Sequence, residues 1–314
     1  MAARKSSRSR RRARPFLWLN ALLLGLLGSW YLFQPPARKA EVDQLIGNYF
    51  ERSKRINLVD VAWDLYQLYY SEAFVRAPAR TGGGDLYAGA PRSDGFAHPV
   101  RVLANMGYTV GYSDALESPV WAAYRVRDLD RVPAPAARPG RFAVDPRTTA
   151  RVSPEAYSNS GYDRGHLAPN YAIATRYGDE AQLETFLMSN IVPQRHALNA
   201  GPWKELEQRI ATSYPGRFGE IWVLAGPVFG ASRTRLPNGT LVPEAFFMIL
   251  IDESDGRLRA MGVILPQDAG AGTELGRYLV SIDEVERRTG FDFLPELVDA
   301  TEAVLEAKIP ARVW

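Results

Sequence analysis

The sequence predicts an α+β protein with a mainly antiparallel central sheet flanked by helices, preceded by an N-terminal transmembrane helix. Three observations carry that reading. Apolar, β-branched and aromatic runs such as Ile221-Trp222-Val223-Leu224 and Phe246-Phe247-Met248-Ile249-Leu250-Ile251 have the character of buried strands. Asn238-Gly239 and Asp255-Gly256 are hairpin-turn dipeptides, which makes the last strands antiparallel neighbours. Strand-like and helix-like segments alternate without the regular βαβ order of a parallel sheet.

In chain order, residues 1–15 form a basic cytoplasmic tail with seven bases and no acid. Residues 16–33 are an 18-residue apolar run, which as a helix reaches roughly 27 Å, close to the hydrocarbon thickness. Trp18, Trp30 and Tyr31 sit near its ends, as interfacial aromatics do, and the preceding bases keep the N-terminus in the cytoplasm. The run exceeds an ordinary signal-peptide core, and no small-x-small cleavage site precedes Gln34-Pro35-Pro36. An uncleaved signal anchor is therefore expected, with a cleaved signal peptide and a mitochondrial presequence as alternatives. The anchor places the remaining chain on the periplasmic or extracellular side; cleavage would secrete it.

Residues 34–98 read as a tether, an amphipathic helical region and a Gly/Pro-rich loop. Val42, Leu45, Ile46, Tyr49 and Phe50 form one apolar stripe, and Val59, Ala62, Trp63, Tyr66, Tyr70 and Phe74 a second. Such stripes pack on their own domain more often than on a partner, a homodimer being the alternative. The stretch from Ala77 to Pro99 is expected to be a mobile loop, and its Gly82-Gly83-Gly84 is no phosphate loop, because no Gly-Lys-Ser/Thr follows.

Residues 99–314 are the globular domain. Strands are expected at about 100–112, 119–127, 220–228, 244–252 and 257–265, and helices at about 178–188, 200–213, 273–279, 282–289 and 295–307. Ser281 to Glu284 has capping-box spacing and Gly290 is a helix stop.

Composition narrows the chemistry. With 46% apolar and 23% charged residues the chain is globular rather than disordered. The absence of cysteine excludes disulfides, Cys-ligated zinc, iron–sulfur clusters and thiol nucleophiles. With only His98, His166 and His196, a metal is expected to be a hard ion held by oxygen ligands and water. The net charge of +3 belongs to the basic tail, and the rest is slightly acidic, so a nucleic-acid groove would have to be local.

Ser160-Gly161-Tyr162-Asp163-Arg164-Gly165-His166-Leu167-Ala168-Pro169-Asn170 concentrates an acid, a base and an imidazole. If extended, it points Arg164 and His166 to one face and Asp163 and Gly165 to the other, with room for close approach at Gly165. Ser189-Asn190-Ile191-Val192-Pro193-Gln194 and the run from Leu198 to Glu207 follow. Together with Pro119 to Tyr124, Asp145-Pro146, Ala225-Gly226-Pro227-Val228-Phe229 and Val242-Pro243-x-x-Phe246, these blocks resemble the DNA/RNA non-specific endonuclease family over roughly 99–294. Members are nucleases with a ββα-metal site.

The resemblance implies a Mg²⁺-dependent endonuclease (Mn²⁺ being an alternative ion) that cleaves DNA and RNA with low sequence specificity. By that likeness His166 is the general base, an unperturbed imidazole near pKa 6.5 suiting the role. Asn199 is the direct metal ligand, and Glu207 holds the metal through a water. Arg164 binds phosphate or stabilises the transition state. Asn190 is an auxiliary group ordering the loop or a water, and Asp163 is structural. Family members use an arginine upstream of Asp145, for which Arg141 is the candidate with Arg138 nearby. Met248 and Ala200 depart from the family's usual lysine and glutamine. His196 is read as a surface or structural residue, and Trp203 as core. The alternative functions are a catalytically weak nucleic-acid-binding or uptake protein and a phosphodiesterase for another substrate.

Overall fold

The computed structural model describes residues 22, 25–50, 56–76, 84–231, 233–254 and 256–314. Of the expected membrane span at 16–33, residues 16–21, 23 and 24 lie outside these, and residues 25–32 are helical. Among the described residues no helix is long and apolar enough to cross a membrane. The chain divides into two compact units, Met1–Phe50 and Glu51–Trp314. In the first, helix α1 (Pro36–Phe50) carries Asp43, which accepts a hydrogen bond from Tyr31 at 2.8 Å.

The second unit is built on an antiparallel sheet. Its strands are β1 (Val75–Arg76), β3 (Arg101–Asn105), β4 (Tyr108–Ser113), β5 (Ser118–Arg127), β8 (Glu220–Val228), β9 (Ala245–Ser254) and β10 (Arg257–Pro266), in the order β1-β10-β9-β8-β5-β4-β3. The central strands are buried on both faces, which is why they read as unbroken apolar runs. Phe246, Met248 and Leu250 enter one core with Leu198, Trp203, Leu206 and Ile210. The alternating Phe247, Ile249 and Ile251 enter a second core with Val285, Phe293 and Leu305. The helices that follow residue 195 thus cover one face of the sheet, and the C-terminal helices α8 (Ile282–Thr289) and α9 (Asp299–Glu306) cover the other.

Several expected boundaries shift. The run at 100–112 is a hairpin, β3 and β4, turning at Met106-Gly107. Gly107 has φ +80, and a Cβ there would lie 2.3 Å from the Tyr177 ring, so glycine is required. The helix expected at 178–188 ends at Glu184, where Thr185 turns its hydroxyl back to the Gln182 carbonyl. The helix expected at 200–213 is α6 (Pro202–Thr212), preceded by a separate short helix, α5 (His196–Asn199). Residues 273–279 form one 3-10 turn and a short strand, β11 (Leu279–Val280), paired to β10. The helix stop is as expected, Gly290 being left-handed at φ 73. Ser281 accepts the Glu284 N–H at 3.1 Å, but the Glu284 carboxylate pairs with Arg287 at 2.6 Å.

Two larger corrections concern residues 58–98. The described part of the loop, 84–98, is packed rather than mobile. Ala88 is buried, Trp222 donates to the Gly84 carbonyl at 3.2 Å, and β2 (Arg92–Ser93) pairs with β12 (Phe291–Asp292). Helix α2 (Leu58–Tyr70) turns the expected apolar stripe outward: Val59, Tyr66 and Tyr70 are exposed. It buries Asp64 and Gln67 instead. Asp64 pairs with Arg217 at 2.8 Å and Arg259 at 3.1 Å, and Arg259 pairs with Asp252 at 2.8 Å. The two arginines are nearly inaccessible, and an unpaired buried cation costs more than burying a few apolar side chains recovers.

Candidate active site

The motif stretch is extended, as the alternation argument requires. β6 (Asp163–His166) pairs antiparallel with β7 (Ile191–Gln194), and α5 and α6 follow directly. This strand–strand–helix unit lines a pocket of about 570 Å³ with His166, Arg164, Arg138, Asn199, Lys204 and Glu207. Arg164 and His166 share that face, while Gly165 points away, where a Cβ would lie 2.0 Å from the buried Gln194 amide. The close approach at Gly165 is thus made by Gln194.

His166 is buried between two aromatic rings, Phe142 at 5.5 Å and Phe186 at 5.1 Å between centroids. Its Nε2 has no hydrogen-bond partner among the described residues. Burial, reinforced by the Arg138 charge, pushes its pKa down to about 3. The ordinary value expected from sequence does not survive this aromatic enclosure, and the imidazole is neutral across the whole near-neutral range.

Asn199 and Glu207 reach the pocket from different helices. The break between them is Gly201, at φ −105 and ψ −118, where a Cβ would lie 2.3 Å from the Ala197 carbonyl oxygen. Asn199 donates from Nδ2 to Asp163 Oδ2 at 2.9 Å, which leaves its Oδ1 to the pocket. The same Asp163 oxygen meets His196 Nδ1 at 2.8 Å, giving the exposed His196 a contact that sequence reading did not foresee. The Glu207 carboxyl is pushed up to about 8 by burial, partly offset by the Trp203 indole and the charges of Arg138 and Lys204. Among the described residues the indole N–H lies towards this carboxyl without completing a hydrogen bond of ordinary geometry. Trp203 is core, stacked edge-on to Phe246 at 5.6 Å.

These side chains fit a hard divalent cation. A neutral amide oxygen freed by its own N–H bond to Asp163, near a carboxyl strained by burial, is a donor pair that such an ion satisfies.

Of the remaining expected site residues, Arg164 lies at the pocket with its guanidinium anchored. Nε and Nη2 donate to the Pro154 carbonyl at 3.1 and 2.6 Å, and Nη2 also to Ser158, which leaves Nη1. The upstream arginine at the pocket is Arg138, stacked 5.2 Å over Phe186, whereas Arg141 is exposed and outside the lining. Asn190 is fully buried away from the pocket. Its side chain binds the main chain of Ala168 at 2.9 Å and Thr185 at 3.0 Å, ordering the segment after His166 rather than a water. The neighbouring Ser189 donates to Asp145 at 2.6 Å. Burial raises the Asp145 pKa, but bonds from Arg147 and Ser189 more than reverse this and leave it lowered. Of the two departures, Ala200 lines the pocket and Met248 is buried in the core. Sequence reading missed Phe142, Phe186 and Lys204. Only Lys204 left a signal, a cation between Asn199 and Glu207.

A strand pair and helix that bring histidine, asparagine and glutamate into one cation-lined pocket define a candidate phosphodiester-cleaving site. The profile of the DNA/RNA non-specific endonuclease family matches residues 91–300. The chain belongs to that family, and so to the nucleases. It is 28% identical over 213 residues to a nuclease of Nostoc sp., covering 64% of this chain and 76% of that one. It is 32% identical over 155 residues to the mitochondrial endonuclease G of Homo sapiens, covering 45% of this chain and 51% of that protein. The match to the mitochondrial nuclease EXOG of Xenopus laevis, 28% over 214 residues, spans 58% of that relative's length and 61% of this chain. The crystal structure of an EndoG/EndoGI complex superposes with a TM-score of 0.58 at 22% identity, covering 66% of this chain and 91% of that one. That likeness establishes the mixed fold with its antiparallel sheet.

Proposed function

We propose that this protein is a divalent-metal-dependent endonuclease that hydrolyses the phosphodiester bonds of DNA and RNA with low sequence specificity. The observation that carries the reading is the convergence of His166, Asn199 and Glu207 in one pocket flanked by Arg138, Arg164 and Lys204. Asn199 Oδ1 and, through water, the Glu207 carboxylate would hold the cation, with Mg²⁺ the preferred ion and Mn²⁺ the alternative. When bound, that ion supplies charge neutralisation at the scissile phosphate and the leaving 3′-oxygen. His166, whose Nε2 has no hydrogen-bond partner among the described residues, accepts the proton of the attacking water. Arg164 offers its remaining Nη1 to a phosphate oxygen, and Arg138 and Lys204 add local positive charge to an otherwise acidic body. Contacts of this kind address the backbone and carry no direct base information, which accounts for low sequence specificity.

The length and apolarity of residues 16–33 and the basic tail before them support a membrane tether with the nuclease unit on the non-cytoplasmic side. There it is kept from the cell's own genome.

The test is full-length protein incubated with plasmid DNA and with single-stranded RNA in Mg²⁺, beside His166→Ala and Asn199→Ala. Cleavage of both substrates by the parent, and loss of about 10²–10⁴-fold in the His166 variant, is expected. Equal, undetectable cleavage by parent and variant with nucleic-acid binding retained would overturn the reading in favour of a binding protein.

A further inference from the structure

On the face of the sheet opposite the active site, helices α8 and α9 enclose a second pocket of about 400 Å³. It is lined by Asp94, Asp283, Glu286, Asp292, Glu302 and Glu306, with Arg287 at its margin. One oxygen from each of Asp283, Glu286 and Glu306 lies within 4.8 Å of the others. Asp283 and Glu286 are three apart on α8 and share a face; Glu302 and Glu306 are four apart on α9 and share another. Packing the two helices brings the faces together.

Acidic clusters at a surface are common and need no ligand. This one differs in a specific way. Glu306 is 5% exposed, and its Oε1 is buried with no hydrogen-bond partner among the described residues. A buried, unpartnered carboxylate oxygen is costly, and here it is aimed at two further carboxylates. Neither neighbouring base relieves it. Arg287 is taken by Glu284 at 2.6 and 2.7 Å, and the charge of Arg92, outside the lining, acts on Asp292 and Glu302. Glu286 does have one partner, the Phe293 N–H at 2.7 Å, which fixes its carboxylate in place.

We propose that Asp283, Glu286 and Glu306 form a binding site for a hard divalent cation, Ca²⁺ in particular, which clamps the C-terminal helix α9 onto α8. The ligand set is all carboxylate oxygen, which selects Ca²⁺ or Mg²⁺ over softer ions. Ligand number then discriminates. Mg²⁺ keeps most of its waters and is held through one or two carboxylates, whereas Ca²⁺ takes six to eight oxygens in a flexible shell. Three carboxylate oxygens within 4.8 Å of one another suit the ion that draws more of its ligands from protein. Asp292 and Glu302 at the rim, and water, complete the six to eight oxygens that Ca²⁺ takes. The site shares no residue with the active-site pocket and stands independently of the catalytic reading.

The test is thermal unfolding of the full-length protein at pH 7.5 with and without about 5 mM CaCl₂, alongside calorimetric titration with CaCl₂. Asn199→Ala separates this site from the catalytic one. Expected are a Kd on the order of 10⁻⁵–10⁻⁴ M and a Tm increase of about 5 °C or more, both retained in Asn199→Ala. Glu306→Gln, which keeps the buried shape but removes the carboxylate, should abolish the Ca²⁺ response. Asp283→Asn, at an exposed position that does not endanger folding, should weaken Ca²⁺ at least about tenfold. An equal shift from MgCl₂ would overturn the assignment to Ca²⁺. Absence of any Ca²⁺ response in the parent, or an undiminished response in Asp283→Asn, would overturn the site.

Discussion

Asp163 Oδ2 accepts a hydrogen bond from Asn199 Nδ2 at 2.9 Å, so an acid on β6 decides which end of an amide on α5 faces the pocket. An asparagine side chain has a donor end and an acceptor end, and only the acceptor can meet a cation. On the proposed function, Asp163 would act on a bound metal through Asn199. Asp163→Ala should weaken the apparent Mg²⁺ affinity by about 10–100-fold while leaving much of the rate at saturating Mg²⁺. Cleavage rate measured against Mg²⁺ concentration checks this, and an unchanged midpoint would refute it.

The raised Glu207 pKa gives the metal dependence a pH signature. With the carboxyl at about 8, a proton occupies it through neutral pH, and a cation drawing on that group must displace the proton. Apparent Mg²⁺ affinity should rise as pH climbs from 6 towards 8 and level off above it. Glu207→Gln should flatten this slope. His166, at about 3, is neutral throughout and adds no slope of its own in this range.

Arg138 and Arg141 separate cleanly in the fold. Arg138→Ala should lower kcat/KM by about 10–100-fold, the loss of one charge-stabilising contact, whereas Arg141→Ala should stay within about threefold, as an exposed side chain outside the pocket lining. Parallel assays on a short duplex decide it; equal losses would show that the upstream loop acts as a whole.

Gly201 is the joint between the two helices of the site. Gly201→Ala places a methyl against the Ala197 carbonyl oxygen, and main chain cannot swing away as a side-chain end can. A stability loss of about 1–3 kcal/mol is expected, with a larger fractional loss of activity, because Asn199 and Glu207 are re-aimed. Urea unfolding beside a cleavage assay measures both.

Asp64 neutralises two buried arginines at once, Arg217 and Arg259. Asp64→Ala should cost about 3–5 kcal/mol, since it strands a guanidinium. Arg259 keeps Asp252, so the guanidinium left stranded is Arg217, and the double variant Asp64→Ala, Arg217→Leu should recover part of that loss. Equilibrium unfolding of the single and double variants tests the coupling.

Much of the fold was legible because its signals are local. Strands β5, β8, β9 and β10 declare themselves as continuous apolar runs, since both faces are buried, and Gly290 marks its helix end by a backbone angle that glycine tolerates best. The residues His166, Asn199 and Glu207, which the fold brings to one pocket, were legible as blocks in order, because each sits in a compact stretch around one strand or helix. What the sequence by itself determined was the set of groups with the right chemistry and the alternation that turns Arg164 and His166 to one side. Tertiary structure alone decided the rest. Periodicity says which residues share a face but not which face is turned in, so helix α2 buries Asp64 rather than its aromatic stripe. The imidazole pKa depends on Phe142 and Phe186, which approach His166 only after folding. Arg138 rather than Arg141 enters the pocket because stacking on Phe186 selects it. Desolvation and the choice of partner are properties of three-dimensional neighbours, and no spacing along the chain encodes them.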